Sequence, residues 1–259
     1  MDTGKPGALK TQMTPSAITE GFDILAWDSE LFGFPVAAIH GDAIQAGRWP
    51  QVQAALRAGR VRLAYALAAN ANTAARDLLR TSGARQVDLK RRYRKLVDQE
   101  SQLSGSLQPV LGQPCSAEFE SLALASGEYS RFRADPDIPP GVFESLYKTW
   151  IRGSLSGEIA DSVLALFHGS SLAGMITVAV SGDSGMIGLV AVAAGCRGRG
   201  FGRQLVQGAE AWCAARSVHT LEVVTQGKNA AACALYAASG FACVREEAVF
   251  HLWLPSEGE

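Results

Sequence analysis

A chain of 259 residues, 47% hydrophobic and 19% charged, can fill a sizeable core, so disorder is excluded away from the ends. Its 24 Lys+Arg against 25 Asp+Glu leave a formal charge of -1, and no global field points to nucleic acid or an anionic membrane. No run of about 18 apolar residues occurs; the longest candidate, 162–180, is broken by His168-Gly-Ser-Ser171.

Residues 1–19 are polar and rich in Gly, Pro and Thr, and read as a loose tail without the charged-then-apolar order of a secretory signal. Trp49-Pro50 opens a helix reaching Ala58, with Pro50 at a first-turn position it tolerates. Val61, Leu63, Tyr65 and Leu67 alternate as one face of a strand, and Asn70 to Ser82 reads as a helix stopped by Gly83. Val87 to Val97 is again strand-like, so 20–98 reads as an N-terminal α/β domain. The run 99–114 is rich in Ser, Gln, Gly and Pro and reads as a linker.

The C-terminal domain, 115–255, opens with a helix from Ala117 to Ser126, an irregular segment 127–141 and a helix over 143–152. Val163–Phe167 and Leu172–Val180 suggest a hairpin, and Met186–Val192 a buried strand. A glycine-rich turn, a helix to about Arg216, a strand Thr220–Thr225 and a helix Asn229–Ser239 follow, then strands at Phe241–Val244 and Ala248–Leu254.

Five cysteines (Cys115, Cys196, Cys213, Cys233, Cys243) form no C-x-x-C pair and read as reduced thiols acting as small core residues. The histidines His40, His168, His219 and His251 are scattered without metal-ligand spacing. The expectation is a cytoplasmic protein with no metal. Lys90-Arg-Arg-Tyr-Arg-Lys95, the one basic run, reads as a solvated or edge-protecting strand face rather than a nucleic-acid site.

Chemistry concentrates at Arg197-Gly198-Arg199-Gly200-Phe201-Gly202-Arg203, where an apolar strand turns into a helix. Glycines there let backbone N–H groups converge at a helix N-terminus, an anion site for a pyrophosphate that Arg197 and Arg199 would reinforce. The same residues also suit a βα turn with solvated arginines. The turn follows a hairpin meander, which fits a nicotinamide-binding Rossmann domain poorly.

With Asn229-x-x-Ala232-x-x-Leu235-Tyr236-x-x-x-Gly240-Phe241 downstream, residues 115–255 resemble the GNAT N-acetyltransferase superfamily. The resemblance implies an α/β fold with a central, mixed, splayed sheet flanked by helices. It implies acetyl-CoA as co-substrate, its pantetheine arm on the backbone of Leu189, Val190, Ala191 and Val192, its pyrophosphate on residues 197–203, and Asn229 near the arm or only capping its helix. It makes Tyr236 the general acid at the CoA sulfur. A phenol near 10 donating to a thiol near 8.5 is uphill by roughly 2 kcal/mol. Transfer is then concerted with C–S cleavage, or Tyr236 only hydrogen-bonds the sulfur, or it is a core tyrosine.

Trp27-Asp-Ser-Glu-Leu-Phe-Gly33 and Ser130-Arg-Phe-Arg133 extend the resemblance to bacterial acetyltransferases of nucleotide-linked amino sugars. That implies a small-molecule acceptor such as dTDP-4-amino-4,6-dideoxygalactose, acetylated by direct attack, and relatives suggest a homodimer. Other small amines, a protein N-terminus, or acyl-CoA binding without turnover stay open. Met186 to Val192 lacks the carboxylate many members carry there, leaving Asp88 as base or as a solvent-facing carboxylate, with Glu128, Asp135 and Asp137 as weaker candidates. Arg131 would grip a phosphate and Phe132 stack on thymine, or the two are a surface ion-pair partner and a core aromatic.

Asn72 to Ala84 aligns without gaps on Asn229 to Phe241, with Leu79 at the place of Tyr236. The N-terminal half therefore reads as a smaller, degenerate GNAT-like domain that binds no CoA and walls the acceptor site. A generic Asn-capped, Gly-terminated helix seen twice is the alternative.

Overall fold

In the computed structural model, which describes residues 21–103 and 106–255, three short elements lead: β1 (Phe22–Ile24), α1 (Ala26–Phe32) and β2 (Val36–Ile39). Then come α2 (Trp49–Ala58), β3 (Leu63–Ala69), α3 (Thr73–Thr81), β4 (Arg85–Leu96), β5 (Leu107–Pro109), α4 (Ala117–Ser126), α5 (Arg131–Ala134) and α6 (Val142–Ser156). The hairpin β6 (Ser162–His168) and β7 (Ser171–Ser181) precedes β8 (Ser184–Val192), α7 (Phe201–Ala214), β9 (Thr220–Gln226), α8 (Ala230–Ala238) and β10 (Ala242–Trp253). The tail expected at 1–19 lies outside the described residues.

The chain divides into two units that interleave along the sequence. The first holds 91–129 and 143–244; the second holds the described parts of 10–90, 130–142 and 245–259. The expected division into 20–98 and 115–255 is thus corrected. Residues 99–114 are not a boundary, because β5 lies inside them and pairs antiparallel with β6, Leu107 opposite Leu166. The segment 130–142 joins the second unit because buried Asp135 accepts hydrogen bonds from Arg85, His251 and Trp253.

Strands of the first unit run in the order β4-β9-β8-β7-β6-β5, with β8 and β9 parallel and β5 through β8 antiparallel. Leu205, Val206, Ala209, Trp212 and Cys213 of α7 pack on Leu164, Ile176, Val178 and Ile187 of the sheet. A Cβ on Gly208 would collide with a Leu107 methyl, so glycine sets how closely α7 approaches β5.

In the second unit the order is β1-β2-β3-β10, with β2 parallel and β10 antiparallel to β3. β3 is buried on both faces, unlike the expected single face, because Ala64, Ala66 and Ala68 fill the side opposite Leu63 and Tyr65. β10 is one strand where two were expected; its residues 247–253 stay in register with β3 throughout.

Strand, helix and strand measure 7, 9 and 12 residues in β3-α3-β4 and again in β9-α8-β10. Asn72 and Asn229 each accept from the backbone N–H three residues on, at 3.1 Å, and Gly83 and Gly240 stop their helices at φ 85° and 84°. Cap loss in Asn72→Ala is expected to cost about 1 kcal/mol of unfolding free energy, read as a lower urea midpoint with an unchanged m-value.

Candidate functional site

β8 leaves β9 partway along its length. Parallel pairing runs from Ser184 opposite Thr220 to Ile187 opposite Val223 and stops, while β8 continues on β7 to Val192 opposite Gly174. The cause is a bulge in which Gly188 and Leu189 together face Thr177, as pairing shifts from Val178–Ile187 to Ile176–Val190. The Leu189 N–H donates to the buried Thr177 hydroxyl at 2.8 Å, and a Cβ on Gly188 would sit 2.7 Å from that oxygen. From Gly188 to Val192 the β8 edge on the β9 side therefore has no ladder partner on β9. Leu189, Val190, Ala191 and Val192, expected to carry pantetheine, lie on that edge.

A 3-10 turn, Ala194–Cys196, leads from β8 into the glycine loop before α7. Gly198 and Gly200 have φ of 76° and 79° with open space where a Cβ would be, so the loop needs glycine for its conformation. The first-turn N–H groups of α7, those of Phe201, Gly202 and Arg203, have no intrahelical acceptors and form the positive end of the helix dipole. Arg197, Arg199 and Arg203 are exposed. Arg197 donates from Nε to the Val192 carbonyl at 3.2 Å, and Arg199 lies 3.3 Å from His168 Nε2. Glycine backbone, helix terminus and flanking cations make a donor set that fits a pyrophosphate. Gly202 lets α7 meet Leu235 of α8, whose methyl would be 3.3 Å from a Cβ there.

Tyr236 lies in α8, 4% exposed, its ring 5.8 Å from both Tyr93 and Phe241. Burial first, then the Cys233 thiol, pushes its phenol well above the ordinary range, so it stays protonated at any working pH. Asn229 caps α8 through its side-chain oxygen. Tyr93, which the sequence reading passed over inside the basic run, has its phenol raised to about 12 by burial and by hydrogen bonding with Cys233. Period-two alternation in 90–95 was the available signal: Tyr93 is buried, while Arg92 and Arg94 pair with Glu222 at 2.8 and 2.6 Å. Lys95 pairs with Glu210 at 2.6 Å. The expected solvated face is therefore an ion-paired one. Of the five cysteines only Cys213 is buried, which corrects the reading of all five as core residues.

Of the remaining sequence candidates Glu128 is an exposed residue of the first unit, and the others belong to the second. Asp88 of β4 is half-buried and its Oδ1 accepts from the Leu89 N–H at 2.7 Å. Phe132 is 7% exposed and packs against Phe32, Tyr65 and His251, which makes it a core aromatic without a face free for thymine. Arg131 lies with its guanidinium carbon 3.9 Å from the Tyr65 ring centre. Asp137 does not start a helix; α6 begins at Val142, and Asp137 pairs with Arg85 at 2.7 Å.

Sequence reasoning missed the buried polar cluster of this unit. His251, fully buried, bonds through Nδ1 to Asp135 Oδ2 at 2.6 Å, and Trp253 Nε1 donates to the same oxygen at 2.9 Å. Asp135 Oδ1 accepts from Arg85 at 2.8 Å and from the Asp137 N–H at 3.2 Å. Burial opposes its charge, but the bonds from His251, Trp253 and Asp137 hold its pKa at about 2. Burial, with Arg131 and Arg85 adding to it against the Asp135 bond, lowers His251 to about 4. The pair is carboxylate and neutral imidazole, with Nδ1 carrying the proton. Tyr65 donates to Asp28 at 3.2 Å, and burial raises the pKa of Asp28 against the pull of Arg131 and that bond.

Among the described residues no helix is long and apolar enough to cross a membrane, and no three His, Cys, Asp or Glu group as metal ligands. Residues 129–241 match the model of the acetyltransferase (GNAT) family. Over 124 residues the chain is 35% identical to a dTDP-fucosamine acetyltransferase of Escherichia coli O6:H1, covering 47% of this chain and 52% of that protein. The chain thus matches about half the length of that curated relative. A GCN5-related N-acetyltransferase from Sphaerobacter thermophilus superposes with TM-score 0.58 at 17% identity, over 91% of this chain and 77% of that one. A tandem GNAT protein from the clavulanic acid biosynthesis pathway superposes at 0.54 with 14% identity, over 85% and 76%. These two likenesses establish the fold.

The buried dyad sets a pH dependence of stability. His251 titrates lower in the folded than in the unfolded chain, so between pH 6.5 and 4 unfolding takes up a proton. Stability should fall with pH across that window by up to about 1.4 kcal/mol per pH unit from this group. His251→Asn should flatten that part of the curve of melting midpoint against pH; an unchanged slope would show that His251 is not held neutral.

Proposed function

We propose, on the match of residues 129–241 to the model of the acetyltransferase (GNAT) family, an N-acetyltransferase that moves the acetyl group of acetyl-CoA to the amine of a nucleotide-linked amino sugar. The observation that carries the reading is the end of β8–β9 pairing at Ile187–Val223, next to a glycine loop at the start of α7. An unpaired strand edge offers backbone donors and acceptors to an extended amide-bearing arm, as it would to an added strand. Gly198 to Arg203 would hold the pyrophosphate. Direct attack forms the C–N bond as the C–S bond breaks, and the departing sulfur needs a hydrogen-bond donor. Tyr236 is the proposed donor: its hydroxyl makes no hydrogen bond among the described residues, and burial keeps it protonated. Asp88 is the proposed proton acceptor.

The acceptor class rests on the dTDP-fucosamine acetyltransferase relative, which makes dTDP-4-amino-4,6-dideoxygalactose the first compound to offer. The matched lengths and caps of β3-α3-β4 and β9-α8-β10 support reading the second unit as a reduced copy that serves the acceptor. Leu79, fully buried, stands where Tyr236 stands, so this copy lacks the phenol.

Thiol release from acetyl-CoA, measured over dTDP- and UDP-linked amino sugars with spermidine and a peptide amine as controls, tests the reading. Turnover with a nucleotide amino sugar is expected; turnover with the controls alone overturns the sugar and leaves the acetyltransferase. Tyr236→Phe should lower kcat about a hundredfold and leave KM for acetyl-CoA nearly unchanged. An unchanged kcat would remove Tyr236 from the chemistry.

A further inference from the structure

Among the described residues of the second unit, three buried polar side-chain atoms have no hydrogen-bond partner, Arg76 Nε, His251 Nε2 and the Ser130 hydroxyl, and the last two lie in or against the segment 130–135. Beside Ser130 stands Arg131, stacked over Tyr65 at 3.9 Å and Phe132 at 4.6 Å. Among the described residues its guanidinium makes no hydrogen bond and no ion pair. Tyr65 in turn lies 5.0 Å from the His251 ring, tilted 36° to it, so cation, phenol and imidazole neighbour one another. A guanidinium held flat on an aromatic face keeps its N–H fork pre-organised for an oxyanion. With the proton on Nδ1 bound to Asp135, Nε2 is a bare acceptor that needs a donor. An acceptor left buried without a partner is costly, and native proteins rarely tolerate it without a ligand or a bound water.

We infer that the segment Ser130–Asp135, with Tyr65 and His251, is a ligand subsite: Arg131 takes an anionic oxygen, and His251 Nε2 accepts a hydrogen bond from a hydroxyl or amino group. The ligand class that offers both is a nucleoside-diphosphate sugar. Asp135 is the positioning residue, because its four hydrogen bonds fix the imidazole tautomer and tie the segment to β10. The assignment of the nucleotide sugar rests on the acetyltransferase reading above, whereas the orphaned atoms of Ser130 and His251 and the stacked guanidinium, whose nearest anionic influence is Asp28, do not.

Calorimetric titration of the full chain separates the possibilities. The probes are dTDP, UDP, dTDP-4-amino-4,6-dideoxygalactose and, independently, CoA. Arg131→Ala is expected to weaken dTDP and the amino sugar at least tenfold and leave CoA binding unchanged. His251→Asn keeps a donor toward Asp135 but removes Nε2; it should weaken the amino sugar about tenfold and leave dTDP unaffected. His251→Gln, which keeps a group near Nε2 but loses the Asp135 bond, should lower the melting midpoint more than His251→Asn does. The His251 Nε2 nitrogen-15 resonance should shift on adding the amino sugar. Equal affinities in wild type, Arg131→Ala and His251→Asn overturn the subsite, as does an Nε2 resonance that stays in place, the mark of a bound water only. Wild type that binds CoA but no nucleotide or nucleotide sugar overturns the subsite and spares the acetyltransferase; wild type that fails to bind CoA overturns the acetyltransferase reading itself.

Discussion

The hydrogen bond from the Leu189 N–H to the buried Thr177 hydroxyl holds two residues of β8 opposite one of β7. In a regular ladder the Leu189 amide would pair with a carbonyl; here a side chain replaces that partner, and Gly188 leaves room for it. The extra residue turns β8 away from β9 after Ile187 while β7 keeps it anchored to Val192. An unpaired edge inside a sheet costs free energy unless something satisfies it, so the arrangement makes sense as a binding edge. The loop that follows inherits its position from the same anchor: Arg197 reaches back to the Val192 carbonyl, and α7 starts from Gly200. Thr177 is thus a determinant of the site although it need touch no ligand.

Asp135 has the corresponding role in the second unit. Its carboxylate is fully buried and accepts four hydrogen bonds, from Arg85, the Asp137 N–H, His251 and Trp253. A buried charge survives only when its lone pairs are met this fully. Removing any one donor would leave the others around an under-satisfied anion, so the penalty of a single substitution exceeds that of the bond removed. Two of the donors lie on β10 and one at the start of β4, which is why a segment that looks irregular in sequence is fixed in place.

Local signals in the sequence were enough where an element announces its own ends. Ala117–Ser126 is the helix the pattern gives, and the two Asn-started, Gly-stopped helices carry the caps their residues imply. The glycine loop and the Tyr236 helix were legible because their chemistry is written in consecutive residues. The elements β1, α1 and β2 were not, since 3, 7 and 4 residues hold too few periods to register. The interleaving of the units was also hidden. His251 and Asp135 are 116 positions apart, and no spacing rule links them. Phe132 drew attention as an aromatic beside an arginine, but a sequence motif cannot say which rings a core has already enclosed.

The proton balance of the proposed transfer is constrained by which carboxylates the strands supply. β7 and β8 carry none, and β9 carries Glu222 alone. Burial opposes ionisation of Glu222, yet Arg92 and Arg94 outweigh it and hold the pKa below the ordinary range, which makes it a weak base already committed to two cations. Strands β7, β8 and β9 therefore supply no uncommitted carboxylate, and the proposed donor, Tyr236, comes from α8. A phenol raised this far cannot hand its proton fully to a thiolate ahead of bond cleavage; in the proposed transfer it would stabilise developing negative charge on sulfur by hydrogen bonding as the bond lengthens. The amine must then arrive neutral or lose its proton elsewhere. An amine on a sugar ring, flanked by electron-withdrawing oxygens, is less basic than an alkyl amine such as spermidine and is neutral in larger proportion near pH 7. With a weakly acidic phenol as the proposed donor and Asp88 of β4 as the proposed proton acceptor, the transfer is better matched to an amine that is already neutral in good proportion, which is a chemical reason to favour a sugar amine over a polyamine.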